Sequence, residues 1–169
     1  SKTVEPDRIR EAWDAGIRHF GENRAQELVR KSESLSGLEI NWHFIGHIQT
    51  NKARFVAPQS SLIHTVDSLK LAKMLTKHTP ENARQPVLIQ VNTTGEATKE
   101  GIPPASLAQL LDELTKIPRI RVDGLMTIGP LSGNRDQIRA AFSGLRLLME
   151  KERASGRPHQ PLTELSMGM

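Results

Sequence analysis

The sequence contains no cysteine and no tyrosine among its 169 residues. The absence of cysteine excludes disulfide bonds, thiolate zinc sites and cysteine nucleophiles, and it fits a cytosolic protein. No apolar run approaches the roughly 20 residues that span a bilayer. No charged and then apolar leader precedes a cleavage site. We therefore predict a cytoplasmic protein without a membrane segment.

Aromatic residues and concentrated charge are also scarce. Only 4% of the residues are aromatic, and the net charge of +4 comes from basic residues that are scattered along the chain. Nucleic-acid binding usually requires a basic stripe with stacking platforms, so we expect no nucleic-acid partner. The 37% hydrophobic and 25% charged residues are ordinary for a globular protein, and the length suits one domain.

What the sequence does contain is a regular alternation of short apolar segments and amphipathic helices. The predicted strands are residues 17–20, 41–46, 62–66, 86–92, 122–129 and 162–169. The predicted helices are residues 6–15, 21–35, 49–58, 69–75, 103–117 and 137–153. Such alternation implies parallel strands joined by helical crossovers.

Two α/β folds fit this alternation, a doubly wound sheet and a (β/α)8 TIM barrel. Polar residues follow successive strands, as they do around the mouth of a barrel, and this favours the barrel. A typical barrel has about 250 residues. We therefore predict a single barrel domain over residues 1–169 that is incomplete at both ends, with a stub of the first strand at "SKT" and no eighth strand. Open edges predict aggregation or marginal stability for a polypeptide of these residues alone.

The stretch "NWHFIGH" places His43 and His47 four residues apart. In a helix this spacing would put both rings on one face, but in a strand His43 lies within the strand and His47 follows its end. No third ligand lies at a short, metal-like spacing. His43 is therefore interpreted as a hydrogen-bonded core histidine or as a contact to a bound ligand, and we predict no metal site.

Several strings occur in a characteristic order along the whole chain: "SKT", "AGIRHFGENRAQE", "INWHFIGHIQTNKAR", "IHTVDSLKLAKML", "VLIQVNTTGEATKEGI", "GLMTIGP", "FSGLRLLMEKER" and "LTELSMGM". Together they closely resemble the pyridoxal phosphate homeostasis proteins. The resemblance implies a barrel of the alanine racemase N-terminal type that binds pyridoxal 5′-phosphate (PLP). It also implies a role in controlling intracellular PLP without robust catalytic turnover.

The same resemblance assigns site residues. It implies that Lys2 carries PLP as a covalent imine (Schiff base), and that Ser166, with Gly168, belongs to the phosphate site. Asn23 and Asn92 follow predicted strands and are candidate hydrogen-bonding neighbours of PLP, although each could equally be a helix cap. Met126 could pack against the ring or be plain core. The predicted PLP-binding residues are therefore Lys2, Asn23, His43, Asn92, Met126, Ser166 and Gly168. No catalytic residue is assigned.

Two enzyme classes are weaker alternatives. A PLP-dependent racemase needs a second base, which alanine racemases supply as a tyrosine from another domain, and this chain has no tyrosine. A barrel aldolase that uses a lysine imine would need an acid–base partner near Lys2, and none is evident. The expected partners are PLP and, as candidate recipients, PLP-dependent apoenzymes. The full-length protein is expected to be a monomer.

Overall fold

The computed structural model describes residues 1–96, 99–130 and 134–168. Within these ranges six parallel strands form one sheet: β1 (His19–Glu22), β2 (Asn41–Phe44), β3 (Leu62–Val66), β4 (Gln85–Gln90), β5 (Ile120–Ile128) and β6 (Glu164–Gly168). Each strand pairs with the next strand in sequence, from β1 to β6. A doubly wound sheet reverses its strand order at a switch point. This sheet does not reverse, so its order is that of a barrel.

Helices alternate with the strands and pack on one side of the sheet. They are α1 (Pro6–Asp14), α2 (Ala25–Ser34), α3 (Ala53–Val56), α4 (Leu69–Thr76), α5 (Leu107–Leu114) and α6 (Arg135–Arg153). Alternate strand residues such as Phe20, Ile63 and Val87 belong to the same buried core as helix residues such as Leu28 and Leu111. The main core therefore lies between the sheet and its helices. None of the helices in the described ranges is long and apolar enough to cross a membrane.

The other face of the sheet is concave. His64 on β3 and Ser166 on β6 are hydrogen-bonded at 2.9 Å, although β4 and β5 lie between their strands. In a flat sheet, three strand spacings would separate their backbones by about 14 Å. Two short side chains cannot bridge that distance, so the sheet curls as part of a barrel wall does. We call this concave side the inner face.

Gly124 allows β5 and β6 to pair closely. A Cβ atom at this position would lie 1.8 Å from the carbonyl oxygen of Glu164 and would collide with backbone. The register aligns Gly124 with Glu164 and Met126 with Ser166. Glycine at this position therefore fixes the approach of the strand that carries Ser166.

The strand prediction is confirmed in outline and corrected in detail. The strand at residues 62–66 is confirmed, whereas β1 begins two residues later than predicted. The predicted first-strand stub at "SKT" is wrong: the segment turns, with Thr3 at a φ of 67° and the Val4 amide donating to the carbonyl of Ser1. Met169, in the last predicted strand, lies outside the described residues.

Candidate functional site

Four side chains on the inner face form a continuous row of hydrogen bonds. Nδ1 of His19 lies 3.0 Å from Nε2 of His43, and Nδ1 of His43 lies 2.8 Å from Nε2 of His64. Nδ1 of His64 lies 2.9 Å from Oγ of Ser166. We call this row the histidine chain. It runs from the exposed His19 on β1 to Ser166 on β6, so the predicted residues His43 and Ser166 are joined through His64.

The two middle histidines are held in the neutral form. Burial, followed by the charge of neighbouring His43, lowers the pKa of His64 to about 4. Burial also lowers the pKa of His43, with a smaller contribution from His19. At neutral pH both rings therefore carry one N–H each, and each ring donates from one nitrogen and accepts at the other.

Buried apolar side chains lie on the same inner face as Ser166. Met126 is its register partner on β5 and is 6% exposed, and Leu88 on β4 is buried on the same face. Beyond Ser166, Gly168 accepts a hydrogen bond from the Gly129 amide at 2.7 Å. The space where a Gly168 Cβ would project is open. The exit of β6 thus offers a hydroxyl and an uncovered backbone beside apolar side chains.

Lys2 lies at a different position, beside the exit of β1. It is exposed and lines a cavity of about 220 Å³ together with Asn23 and Glu22. The preceding residue, Ser1, is held firmly, because its Oγ donates to Glu22 Oε1 at 2.7 Å and its carbonyl accepts from Lys31 Nζ at 3.0 Å. The residue before Lys2 is therefore anchored to the end of β1.

The anchor is a buried ion pair. Lys31 Nζ lies 2.9 Å from Glu22 Oε1, and both side chains are 0% exposed. The second carboxylate oxygen, Glu22 Oε2, is buried without a hydrogen-bond partner in the part of the chain that is described. Burying two charges is costly unless they remain paired, so Lys31 and Glu22 depend on each other at the site where Lys2 is held.

Asn23 is fixed through its backbone by the neighbouring loop. A Cβ atom at Gly46 would lie 2.1 Å from the Asn23 carbonyl oxygen, so only glycine permits this approach. Asn23 also lines a cavity of about 320 Å³ with His47, Gln49 and Lys52. Asn23 therefore borders two cavities at the exits of β1 and β2.

Asn92 organises its own loop after β4. Its Oδ1 accepts from Thr94 and Gly95, and its Nδ2 donates to the carbonyl oxygens of Glu96 and Lys99. These bonds occupy the amide group, so Asn92 shapes the loop and is less available to a ligand than Asn23.

The structure thus separates the predicted residues into three places. His43, Met126, Ser166 and Gly168 belong to the inner face and the β6 exit, Lys2 and Asn23 to the β1 exit, and Asn92 to the β4 loop. Sequence reasoning missed His19, His64, Glu22 and Lys31. Period-two alternation in "LIHTV" could have placed His64 on the same face as His43, but no local signal links Glu22 with Lys31.

The histidines do not assemble into a metal centre in the described ranges. No group of three or more His, Asp or Glu side chains there has a metal-binding arrangement. His47 instead lies 3.3 Å from Glu100 Oε1, and both side chains are about half exposed. The absence of bound metal stays a prediction for solution measurements.

The chain is similar to a known family of domains. The family described as alanine racemase, N-terminal domain, matches residues 7–168. Alanine racemase from Clostridium difficile is 12% identical, with a TM-score of 0.74 over 95% of this chain and 41% of that chain, which shows the fold alone. The chain is thus a barrel-type domain of the alanine racemase N-terminal class.

More similar relatives narrow the family. Pyridoxal phosphate homeostasis protein from Aquifex aeolicus is 42% identical over all of this chain and 74% of its own length. The protein of the same name from Pseudomonas aeruginosa is 42% identical over 88% of this chain and 65% of its own length. This chain belongs to the pyridoxal phosphate homeostasis protein family. It spans about two thirds to three quarters of the length of these relatives.

A solved structure is similar over the whole chain. PipY from Synechococcus elongatus PCC7942, solved without PLP, is 37% identical, with a TM-score of 0.92 over all of this chain and 79% of that chain. PipY has also been solved with PLP bound, and that structure gives a TM-score of 0.89. The similarity covers every strand described above.

Proposed function

We propose that this chain binds PLP as a covalent imine to Lys2 and takes part in intracellular PLP homeostasis. The observation that carries the proposal is the 37% identity to PipY, which has been solved with PLP bound, over the whole of this chain. The names of the relatives at about 42% identity agree with it.

The residues present fit the chemical parts of PLP. PLP supplies an aldehyde that a lysine amine can bond, a phosphate and a flat aromatic ring. Lys2 provides an exposed amine on an anchored segment. The Ser166 hydroxyl and the open backbone at Gly168 suit phosphate oxygens, which accept hydrogen bonds. Buried Met126 and Leu88 offer apolar contact for a ring.

The proposed role is that of a carrier or regulator, not of an enzyme with robust turnover. No tyrosine is available as the second base of a racemase in these 169 residues. We further propose that the six described strands are part of a (β/α)8 barrel. Transfer of PLP to apoenzymes, a monomeric full-length protein and a cytoplasmic location stay predictions.

Absorbance and chemical trapping test the proposal. Addition of PLP to the purified chain should produce an imine absorbance band, and borohydride should fix the pyridoxyl group to Lys2. The Lys2→Ala variant should lose this label, whereas the matched Lys70→Ala variant, altered at an exposed position on α4, should keep it. A label that survives Lys2→Ala on Lys52 or Lys99 would overturn the assignment.

A further inference from the structure

Hydrogen bonding couples the tautomers of the rings in the histidine chain. Each middle ring uses both of its nitrogens within the chain, one toward β1 and one toward β6. A neutral imidazole has one N–H and one acceptor nitrogen. The nitrogen that carries the N–H on one ring therefore determines which nitrogen carries it on the next ring. Any other combination would bring two N–H groups or two lone pairs face to face.

Two arrangements therefore satisfy every bond. In the first, Nδ1–H of each histidine donates toward β6, and the Ser166 oxygen accepts from His64. The Ser166 hydroxyl hydrogen is then free to donate elsewhere. In the second, Ser166 donates to Nδ1 of His64, and the Nε2–H groups of His64 and His43 donate toward β1. The hydroxyl hydrogen is then used within the chain, and Ser166 can offer only lone pairs.

A phosphate discriminates between the two arrangements. Its oxygens accept hydrogen bonds, so they are stabilised by a Ser166 hydroxyl that donates and repelled by one that presents only lone pairs. Protonation of His19 favours the same arrangement that a phosphate favours. With N–H groups on both nitrogens, His19 can only donate to His43, which sets the first arrangement along the row.

Few other charged side chains lie on the strands that carry the row, although Lys99 Nζ donates to the Gly129 carbonyl at 2.8 Å beside the β6 exit. On β2, β3 and β4 no titratable side chain other than His43 and His64 is present. On β1, Glu22 pairs with Lys31, and on β5, Arg121 pairs with Asp123. On β6, Glu164 precedes Ser166 by two residues on the same face. The middle rings remain neutral at neutral pH because burial disfavours their charged form, so the row transmits hydrogen-bond direction and not charge.

We propose that the histidine chain controls whether the Ser166 hydroxyl donates to a bound phosphate, with His64 as the positioning residue and exposed His19 as its pH-sensitive end. The inference rests on the proposed function, because it takes Ser166 as a phosphate ligand of PLP. Linkage is reciprocal: a phosphate at Ser166 favours protonated His19, and protonated His19 favours the phosphate.

Nitrogen NMR of the histidine rings gives a direct test. In the PLP-bound chain, His43 and His64 should both be Nδ1–H tautomers. In His64→Asn the tautomer of His43 should not respond to PLP. Nε2–H tautomers of His43 and His64 with PLP bound would overturn the proposal. An unchanged response of the His43 tautomer to PLP in His64→Asn would do the same.

Affinity for PLP relative to pyridoxal, which lacks the phosphate, isolates the phosphate contribution. Since hydrogen bonds to charged groups are strong, His64→Asn should lower this ratio roughly tenfold. The matched His78→Asn variant, altered beyond the end of α4, should leave it unchanged. Circular dichroism identifies any variant that fails to fold, and His43→Asn, which also breaks the row, then serves in its place. An unchanged ratio overturns the inference, whereas loss of imine formation in the unmodified chain overturns the proposed function instead.

Discussion

Replacement of Lys31 with Met tests the buried ion pair that anchors the segment before Lys2. Lys31 Nζ donates to Glu22 Oε1 at 2.9 Å and to the Ser1 carbonyl at 3.0 Å, and both charged side chains are fully buried. Lys31→Met leaves the carboxylate of Glu22 buried, with the Ser1 hydroxyl as a hydrogen-bond partner and the Ser1 ammonium as a neighbouring charge. The loss of one member of a buried pair costs about 3–5 kcal/mol of unfolding free energy.

Urea unfolding followed by circular dichroism measures this cost. For a domain of this size, the same loss lowers the melting temperature by roughly 6–20 °C. The double variant Lys31→Met/Glu22→Gln should recover most of the loss, because it removes the unpaired charge. The exposed pair Arg146–Glu150 provides the control, since Arg146→Met should cost about 1 kcal/mol or less. A Lys31→Met cost no larger than that of Arg146→Met would refute the reasoning.

Three further variants test other parts of the structure. Gly46→Ala should lower the unfolding free energy by about 3 kcal/mol, because its Cβ would collide with the Asn23 carbonyl oxygen. In urea titrations the control Gly37→Ala, whose Cβ meets open space, should cost far less. Equal costs for the two variants would contradict this packing. Ser68→Ala removes the N-cap of α4 and should cost about 1 kcal/mol in the same assay, and no change would show that the cap is dispensable. The depressed pKa of His64 means that the unfolded chain binds more protons between about pH 6.5 and 4, so stability should be full above this window and fall as pH decreases through it. Titrations of stability against pH should show a smaller fall in His64→Asn, and an identical fall would exclude His64 as its source.

The strands were predictable wherever apolar patterning and turn residues agree. The segment 62–66 holds three apolar residues between serine and aspartate breakers, and it is β3 in the structure. Glu22 fell within the helix predicted over residues 21–35 from the apolar face of Ala25, Leu28 and Val29, yet it ends β1. Its buried bonds to Lys31 and Ser1 outweigh this local preference. Propensity cannot reveal a contact that forms only after folding.

The start of α6 could have been predicted from a capping motif in the sequence. Asn134 caps the helix in a reciprocal capping box with Gln137, so the helix begins at Arg135 and not at residue 137. The pattern of Asn followed three residues later by Gln is readable in sequence.

Two of the four members of the histidine chain were selected from the sequence, but their connection was not. His43 and Ser166 were selected from strand position and family resemblance, and both lie on the inner face. Their link through His64 depends on the curl of the whole sheet. No pattern within a single strand contains that information, because the curl is a property of six strands together.

The strand order also determines when the histidine chain can form during folding. Each strand pairs with its neighbour in sequence, so the sheet can grow one βα unit at a time with short loop closures. The contact between His64 and Ser166 spans 102 residues and requires β4, β5 and β6 to be in place. In a refolding experiment, secondary structure should therefore return first. The hydrogen bonds that set the state of Ser166 should return only with the last strand.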